Sequence, residues 1–328
     1  MHQSGSTNGD SHQRTFTQEL AVVREQCENL GSLLQNDYQR VRRGLGIELQ
    51  LNLVEPHITP LIQSYRSNPR PVLSASCFPN SRLPQQVQHS LRRTLVTIAL
   101  ATHINMDRPE FILEVALASY LADISMAAIP EEIINKPDKL STDERKVLQN
   151  HPSLATKLLR SKDFPSHTLL YILHHHERHN GSGYPAGLKG SKIPFGASLV
   201  GICDTYCALT APRCYRKADN PTQTIVTLLR EKGNAHAPKL VDTLVLHLGG
   251  FPIGTVVRLS SGEVGVVHRH SPSAPTRPTV AVAQDPGGQL LTPPFLRNLE
   301  DEPDVSVARV LDSSKTRLNV LELLSVSG

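Results

Sequence analysis

Apolar residues spaced three or four positions apart fill most of the chain, and this spacing restricts the fold to packed helices. The stretches with this pattern are 16–67, 87–98, 111–121, 147–159, 169–177, 199–209, 221–231 and 238–248. Such a period is typical of amphipathic helices that bury one face. The chain has no Trp and 4% aromatic residues, so Leu, Val, Ile and Ala must fill the core. We therefore predict a mainly α fold built as a helical bundle.

Local signals predict where the helices begin and end. Residues 1–15 consist largely of Ser, Gly, Asn, Gln and His and are predicted to be disordered. Residues 68–84 are rich in Pro, Ser and Asn and are predicted to form a connector. The stretch 141–144 is a capping pattern that predicts a helix start, and the His-Pro pair at 151–152 predicts a helix break or two abutting helices.

The pattern changes after residue 250 to short runs rich in β-branched residues. Residues 255–259 and 264–267 flank a Ser-Ser-Gly turn and predict a hairpin, and 279–283 predict a third strand. The small β appendage follows the helices. The predicted organisation is a disordered tail over 1–15, a helical region over 16–80, a main helical domain over 81–250, and a small β-rich tail with a terminal helix over 251–328.

Charge and cysteine content exclude several classes of protein. Lys and Arg number 34 against 30 Asp and Glu, a balance too even to indicate a nucleic acid polymer as partner. Residues 1–14 lack an apolar signal region, and no apolar run approaches the roughly 20 residues of a membrane span. We therefore expect a cytoplasmic protein. The cysteines show no CxxC spacing, which argues against a disulfide framework or a zinc knuckle, and Cys203 and Cys207 are predicted core residues.

The densest polar chemistry lies at 174–185, where consecutive histidines precede a glycine-punctuated turn. Imidazole nitrogens at this density can ligate divalent transition metals. A surface helix that ends in a polar turn would give the same pattern. The interpretation therefore depends on partners elsewhere in the chain.

Candidate partners recur at the ends or inner faces of the predicted helices: His89, Asp123, His151 and Asp204. Each alone has a simpler explanation, such as an exposed helix residue or a polar helix end. Asp204, however, lies in a largely apolar helix, where a carboxylate is costly unless it is paired or coordinated. Together with His175 and His176, these residues would suit a binuclear centre for Fe or Mn in a bundle. Two metals bridged by Asp123 can bind phosphate oxygens and activate water, which is the chemistry of phosphodiester hydrolysis.

The segments around these residues resemble the HD-GYP family of cyclic-di-GMP phosphodiesterases. The matching segments are His89-Ser90-Leu91-Arg92, 129–133, 135–137, 140–152, 175–177, 181–190, 193–194, Asp204, 208–210, Arg213 and 215–216. The match covers about 85–250, and the segment after 252 resembles a β tail of some members. The resemblance implies an HD-type helical bundle, a divalent metal, cyclic-di-GMP as ligand, and diguanylate cyclases or adaptor proteins as partners.

Carried over residue by residue, the resemblance assigns the metal ligands and exposes several departures. The implied ligands are His89, Asp123, His151, His175, His176 and Asp204, with Asp123 as the catalytic residue between the metals. The family's namesake histidine falls on Ala122, its nearby lysine on Met126, the aspartate before the GYP loop on Asn180, and the glutamate of a third metal on Gln85. One metal position is therefore complete and the other has lost one ligand, so we expect one or two ions.

The nucleotide-contacting residues implied by the resemblance are Tyr184, Arg213 and Arg216, through base packing and charge-assisted hydrogen bonds to phosphate. Without the resemblance, the two arginines would be interpreted as part of a solvated loop.

We expect a degenerate member that binds metal and cyclic-di-GMP with weak or no hydrolysis. Three alternatives stay open: an active phosphodiesterase giving pGpG or GMP, a docking scaffold for diguanylate cyclases, and a helical structural protein with incidental histidines. The segment up to residue 67 carries no recognisable chemistry, and its apolar face would suit a homodimer or a sensory element.

Overall fold

Three helices open the structure, and their apolar faces pack inside the chain. The computed structural model describes residues 14–77, 82–104, 107–210 and 221–326. The first helices are α1 (Phe16–Arg42), α2 (Leu51–Ser67) and α3 (Pro69–Cys77). Thr15 caps α1, because its hydroxyl accepts from the backbone N–H of Gln18 and the Gln18 side chain accepts from the Thr15 N–H. Val23, Leu30 and Leu34 are fully buried, so the predicted apolar face of this region packs within the molecule.

The main helical body follows in chain order. Its helices are α4 (Gln85–Ile104), α5 (Pro109–Leu121), α6 (Glu131–Ile134), α7 (Thr142–Gln149), α8 (His151–Leu159), α9 (Ser166–His174), α10 (Phe195–Thr210), α11 (Pro221–Arg230) and α12 (Pro238–Leu248). Helix α4 packs against α3, α5 and α10, and α5 packs against α9. Ser141 caps α7 through a capping box, and α8 begins at His151 directly after the α7 cap. The predicted helix start and the abutting helices are confirmed.

A five-stranded antiparallel sheet follows the helices within the described residues. Its strands are β1 (Val256–Leu259), β2 (Val264–Arg269), β3 (Thr279–Gln284), β4 (Leu290–Asn298) and β5 (Val307–Val310), in the order β4-β3-β2-β1-β5. Alternate residues point to opposite faces. Val256 and Val266 therefore join the helical core, whereas Val257 and Val267 form a second, smaller cluster. The terminal helix α13 (Val320–Leu324) packs on β2 and β3. The mainly α fold with a small β appendage is confirmed.

The prediction of a connector over 68–84 was wrong, because α3 occupies 69–77. Pro69 and Pro71 lie in its first turn, where the missing N–H of proline removes no intrahelical bond. Val72 and Leu73 are buried, so packing stabilises this short helix. Strands β4 and β5 were not predicted, because their residues are largely exposed or half-buried and lack a regular alternation of apolar and polar residues.

The expectation that no apolar run approaches the length of a membrane span was also wrong. Residues Pro109–Ala128 form a 20-residue helical segment whose most apolar window has a mean hydropathy of 1.6. This segment is α5 with the following 3-10 turn, and 72% of that window is buried inside the protein. A helix that is apolar on all sides is also typical of the centre of a bundle. Its surroundings are those of a core helix.

Candidate metal centre

The predicted ligands lie on five helical segments that meet in the bundle. Helix α4 carries His89, Asp123 follows α5, His151 opens α8, His175 and His176 follow α9, and α10 carries Asp204. Their potential ligand atoms fall into two groups, and Asp123 belongs to both. The residues are therefore close in space although they are distant in sequence.

The first group consists of four residues whose ligand atoms all lie within 4.8 Å of one another: Asp123, His151, His175 and His176. His151 Nδ1 donates to the carbonyl oxygen of Leu148 at 2.8 Å, and His175 Nδ1 donates to that of Ile172 at 2.7 Å. Because a carbonyl oxygen can only accept, Nδ1 carries the proton in both rings. In the neutral imidazole, Nε2 then presents a lone pair. Metal-binding histidines are oriented in the same way.

Both Nε2 atoms are buried and lack a hydrogen-bond partner within the described residues. His151 Nε2 lies 3.4 Å from Asp123 Oδ1, and His175 Nε2 lies 4.0 Å from the same oxygen. These distances exceed those of well-formed hydrogen bonds. Nitrogen lone pairs and an anionic oxygen therefore face one another without a donor between them. Such an arrangement fits a divalent cation, and the mixture of imidazole and carboxylate is one that divalent transition metals accept.

The second group contains His89, Asp123 and Asp204, but a cation of the chain itself lies among them. Arg93, one turn after His89 on α4, donates from Nη1 to Asp123 Oδ2 and to Asp204 Oδ1, both at 2.6 Å. Its Nε donates to the carbonyl oxygen of Ser119 at 2.9 Å. His89 Nε2 lies 2.8 Å from Asp204 Oδ1. One oxygen of each carboxylate and the His89 nitrogen are thus already bonded within the chain, and Arg93 places a positive charge among them, so this group does not fit a second metal.

The electrostatics of the centre favour ionised carboxylates and neutral imidazoles. Burial alone would raise the pKa values of Asp123 and Asp204, but the Arg93 guanidinium holds both pKa values well below their usual range. Burial lowers the pKa of His175 to about 4. Burial, together with the neighbouring His175, lowers the pKa of His176 well below its usual value. At neutral pH these are the protonation states that ligate metals.

A buried carboxylate holds the glycine-rich turn beside the centre. Glu177 Oε1 accepts from the backbone N–H of Ala186 at 2.8 Å, and Oε2 accepts from that of Leu188 at 2.9 Å. Glu177 is 5% exposed. The turn so anchored carries Tyr184, whose ring centroid lies 4.8 Å from that of His176. The aromatic ring therefore borders the candidate metal site.

Two glycines permit close backbone contacts at the centre. A Cβ atom on Gly183 would lie 2.3 Å from the backbone nitrogen of Arg178. On helix α10, a Cβ atom on Gly201 would lie 2.4 Å from the carbonyl oxygen of His175. Real Cβ atoms cannot approach so closely, and only glycine provides this space. These contacts fix the positions of the turn and of the end of α9.

Comparison with known proteins places this geometry in a family. Residues 76–240 match the HD domain, a span of about half the chain. The chain belongs to the HD domain family. Residues 256–319, which contain all five strands of the sheet, match a KOW domain associated with HD domains.

Relatives of this HD domain protein include named phosphodiesterases. It is 36% identical over 180 residues to the cyclic di-GMP phosphodiesterase PA4108 of Pseudomonas aeruginosa. The aligned region covers 55% of this chain and 43% of the relative. It is 37% identical over 136 residues to the 3'3'-cGAMP-specific phosphodiesterase 2 of Vibrio cholerae, which covers 41% of this chain and 26% of the relative. The chain thus spans less than half the length of either relative.

A solved structure supports the fold. Bd1817, an HDG"Y"P protein from Bdellovibrio bacteriovorus, matches with a TM-score of 0.56 and 18% identity, over 72% of this chain and 73% of that protein.

The HD domain brings together all six residues predicted as metal ligands, and it places Tyr184 beside them. Arg213 and Arg216, the predicted phosphate contacts, lie outside the described residues. Ala122, which the sequence resemblance aligns with the family's namesake histidine, is fully buried and directly precedes Asp123 in the chain. Cys203 and Cys207 are buried in the core, as predicted.

Sequence reasoning missed Arg93 and the anchoring role of Glu177. The available signal for Arg93 was its position four residues after His89, because residues at this spacing lie on the same face of a helix. The segment that follows, Thr94-Leu95-Val96, is buried, so a charged residue there needs a charged partner. No comparable signal marked Glu177, since its partners are backbone groups of the following turn.

Proposed function

We propose that this protein is a degenerate HD-GYP protein of cyclic-di-GMP signalling, which binds one divalent metal ion and cyclic-di-GMP and hydrolyses the nucleotide weakly or not at all. The observation that carries the metal assignment is the pair of buried, unpartnered Nε2 atoms of His151 and His175 facing Asp123. The names of the relatives support a cyclic dinucleotide as ligand. Fe and Mn are the metals that we expect, and the cytoplasm is the expected compartment.

Each residue has a separate role in this proposal. Asp123, His151, His175 and His176 would hold the ion, and a bound ion would supply a Lewis acid for a phosphate oxygen. Tyr184 would pack against the nucleotide, because its ring borders the His176 ring. Arg213 and Arg216 would donate charge-assisted hydrogen bonds to phosphates.

Weak hydrolysis follows from two positions at which this chain stabilises the negative charge of the reacting phosphate less than the histidine and lysine of the family pattern would. Ala122 offers no ligand atom, and half-buried Met126 offers no positive charge to a phosphate. Loss of one donor that stabilises a transition state costs roughly 10²–10³ in rate. Asp204 is bonded to Arg93 and His89, so its carboxylate already has cationic and donor partners. Binding would therefore survive better than turnover.

An active phosphodiesterase giving pGpG or GMP is the second candidate, because the first ligand group is complete. A docking scaffold for diguanylate cyclases is the third, and for it neither the metal nor the nucleotide is required. The candidates differ in two measurable properties, nucleotide affinity and product formation.

The deciding experiment combines calorimetric titration with a product assay on the Mn-loaded and Fe-loaded protein. We expect binding of cyclic-di-GMP with a turnover at least a hundredfold below the ordinary enzyme range of about 1–10³ s⁻¹. 3'3'-cGAMP serves as the second nucleotide, and preferential binding of it would change the assigned ligand. Turnover within the ordinary range would establish the active enzyme instead. If neither nucleotide binds, the docking scaffold is the candidate function that remains.

A further inference from the structure

We infer that the guanidinium of Arg93 takes the place of a second metal ion, so that this chain holds one ion, at Asp123, His151, His175 and His176, and none between Asp123 and Asp204. This inference rests on the proposed function in one respect, since it assumes that the first ligand group binds metal. It adds the reason why the second group does not: the chain supplies its own cation there.

The position of the guanidinium is the first argument. Arg93 Nη1 lies 2.6 Å from one oxygen of Asp123 and 2.6 Å from one oxygen of Asp204. A single positively charged nitrogen thus bridges the two carboxylates that would otherwise share an ion. A divalent cation added between the same oxygens would lie against this nitrogen, and like charges at contact distance repel strongly in a buried site.

The third member of the group is also engaged. His89 Nε2 lies 2.8 Å from Asp204 Oδ1. An ionised carboxylate can only accept hydrogen bonds, so Nε2 carries the proton in this contact. A protonated nitrogen has no lone pair for a metal. His89 would have to change tautomer and break this bond before it could act as a ligand.

Arg93 cannot simply move aside. Its side chain is fully buried, and its Nε donates to the carbonyl oxygen of Ser119 at 2.9 Å. Displacement would leave a charged guanidinium without its acidic partners in an apolar bundle, which is strongly unfavourable. Arginine also keeps its proton under all ordinary conditions. The charge at this position is therefore permanent.

The charge balance leads to the same result. The two carboxylates bring two negative charges, and Arg93 cancels one of them. One divalent ion at the first group then leaves one net positive charge, which can attract a nucleotide phosphate. A second divalent ion would add two further positive charges without another carboxylate in either group. Buried charge without compensation is disfavoured.

Arg93 supplies the positive charge of a second metal ion but not its ability to bind and polarise a phosphate oxygen. A fully buried guanidinium has no open position for a phosphate oxygen, whereas a metal ion does. Arg93 therefore keeps the two carboxylates together without providing a second Lewis acid. This difference accounts for a centre that retains its ligand geometry and yet is expected to hydrolyse slowly.

The test is the number of Mn²⁺ ions bound per full-length chain, measured by elemental analysis and native mass spectrometry after saturation with MnCl₂ and removal of excess. The wild type is expected to bind one ion. Ala122→His, the matched control, restores the missing imidazole but keeps Arg93 and is expected to stay at one. The double variant Arg93→Val with Ala122→His frees the carboxylates and is expected to bind two, with a spin-coupled Mn pair in its electron paramagnetic resonance spectrum.

The outcomes separate this inference from the proposed function. Two ions in the wild type, or two in Ala122→His alone, would overturn the inference and leave metal binding intact. A folded double variant that stays at one ion would also overturn it. No ion in the wild type would instead overturn the proposed metal site, and the assignment of one ion would fall with it. Circular dichroism checks folding, and the wild-type and Ala122→His counts decide the matter if the double variant unfolds.

Discussion

Removing the carboxylate of Glu177 should release the glycine-rich turn from the metal centre. The two oxygens of Glu177 accept from the backbone N–H groups of Ala186 and Leu188. A hydrogen bond to a charged group contributes about 1.5–3 kcal/mol. The turn is partly exposed, so water can replace the lost acceptor, and we take the lower limit for each bond. Glu177→Ala should therefore cost about 3 kcal/mol, and Glu177→Gln, which keeps one oxygen, about half as much.

Amide hydrogen exchange gives the most direct measurement. If local opening of the turn becomes easier by about 3 kcal/mol, the amides of Ala186 and Leu188 should exchange roughly a hundredfold faster in Glu177→Ala. Binding of cyclic-di-GMP should weaken with it, because Tyr184 is carried by this turn. Glu132→Ala, at an exposed glutamate of α6, is the control and should change stability by less than about 0.5 kcal/mol. Unchanged exchange in Glu177→Ala would show that these two bonds do not hold the turn.

Three further outcomes are expected. Gly201→Ala places a Cβ atom against the carbonyl oxygen of His175, so it should lower both the melting temperature and the Mn²⁺ affinity; a wild-type affinity would contradict the proposed packing. His176→Ala removes the most accessible imidazole of the first group and should weaken Mn²⁺ binding at least tenfold in calorimetry, with little change in melting temperature of the metal-free protein. Burial lowers the pKa values of His236 and His247 to about 3 from 6.5, so the unfolded chain binds more protons below pH 6.5. Stability should then fall as the pH falls from 6.5 towards 3, by about 2 kcal/mol per ring at pH 5, and equal urea midpoints at pH 7 and 5 would refute this.

The sequence predicted most of the helices, and it predicted that the six candidate ligands would lie close together. Period, capping residues and the His-Pro pair predicted α4, α5, α7 and α8 because each signal acts locally along the chain. The proximity of the candidate ligands could be predicted because a polar residue such as Asp204 is costly in an apolar helix unless it is paired or coordinated, and because the family resemblance groups the six residues; their role as ligands stays a prediction. Strands β4 and β5 could not be predicted, because their stability comes from pairing with β3 and β1 rather than from their own residues.

The state of the second ligand group lay beyond sequence reasoning for a similar reason. The alanine at position 122 predicted a missing ligand, but it did not predict which group would balance the negative charges of Asp123 and Asp204. That answer depends on the direction in which Arg93 leaves α4, and a long side chain can take many directions. Only the packed bundle, which surrounds the guanidinium completely, selects one of them.

The shared interior has a practical consequence for anyone who wishes to isolate the HD domain. Leu20 of α1 and Leu324 of α13 belong to the same cluster of buried residues as the bundle. A fragment trimmed to residues 76–240, the limits of the HD domain match, would expose the apolar surfaces that both flanks now cover. Recombinant fragments with those ends should aggregate. Heating of the full chain should give one cooperative unfolding transition, rather than separate transitions for the N-terminal helices, the HD domain and the sheet.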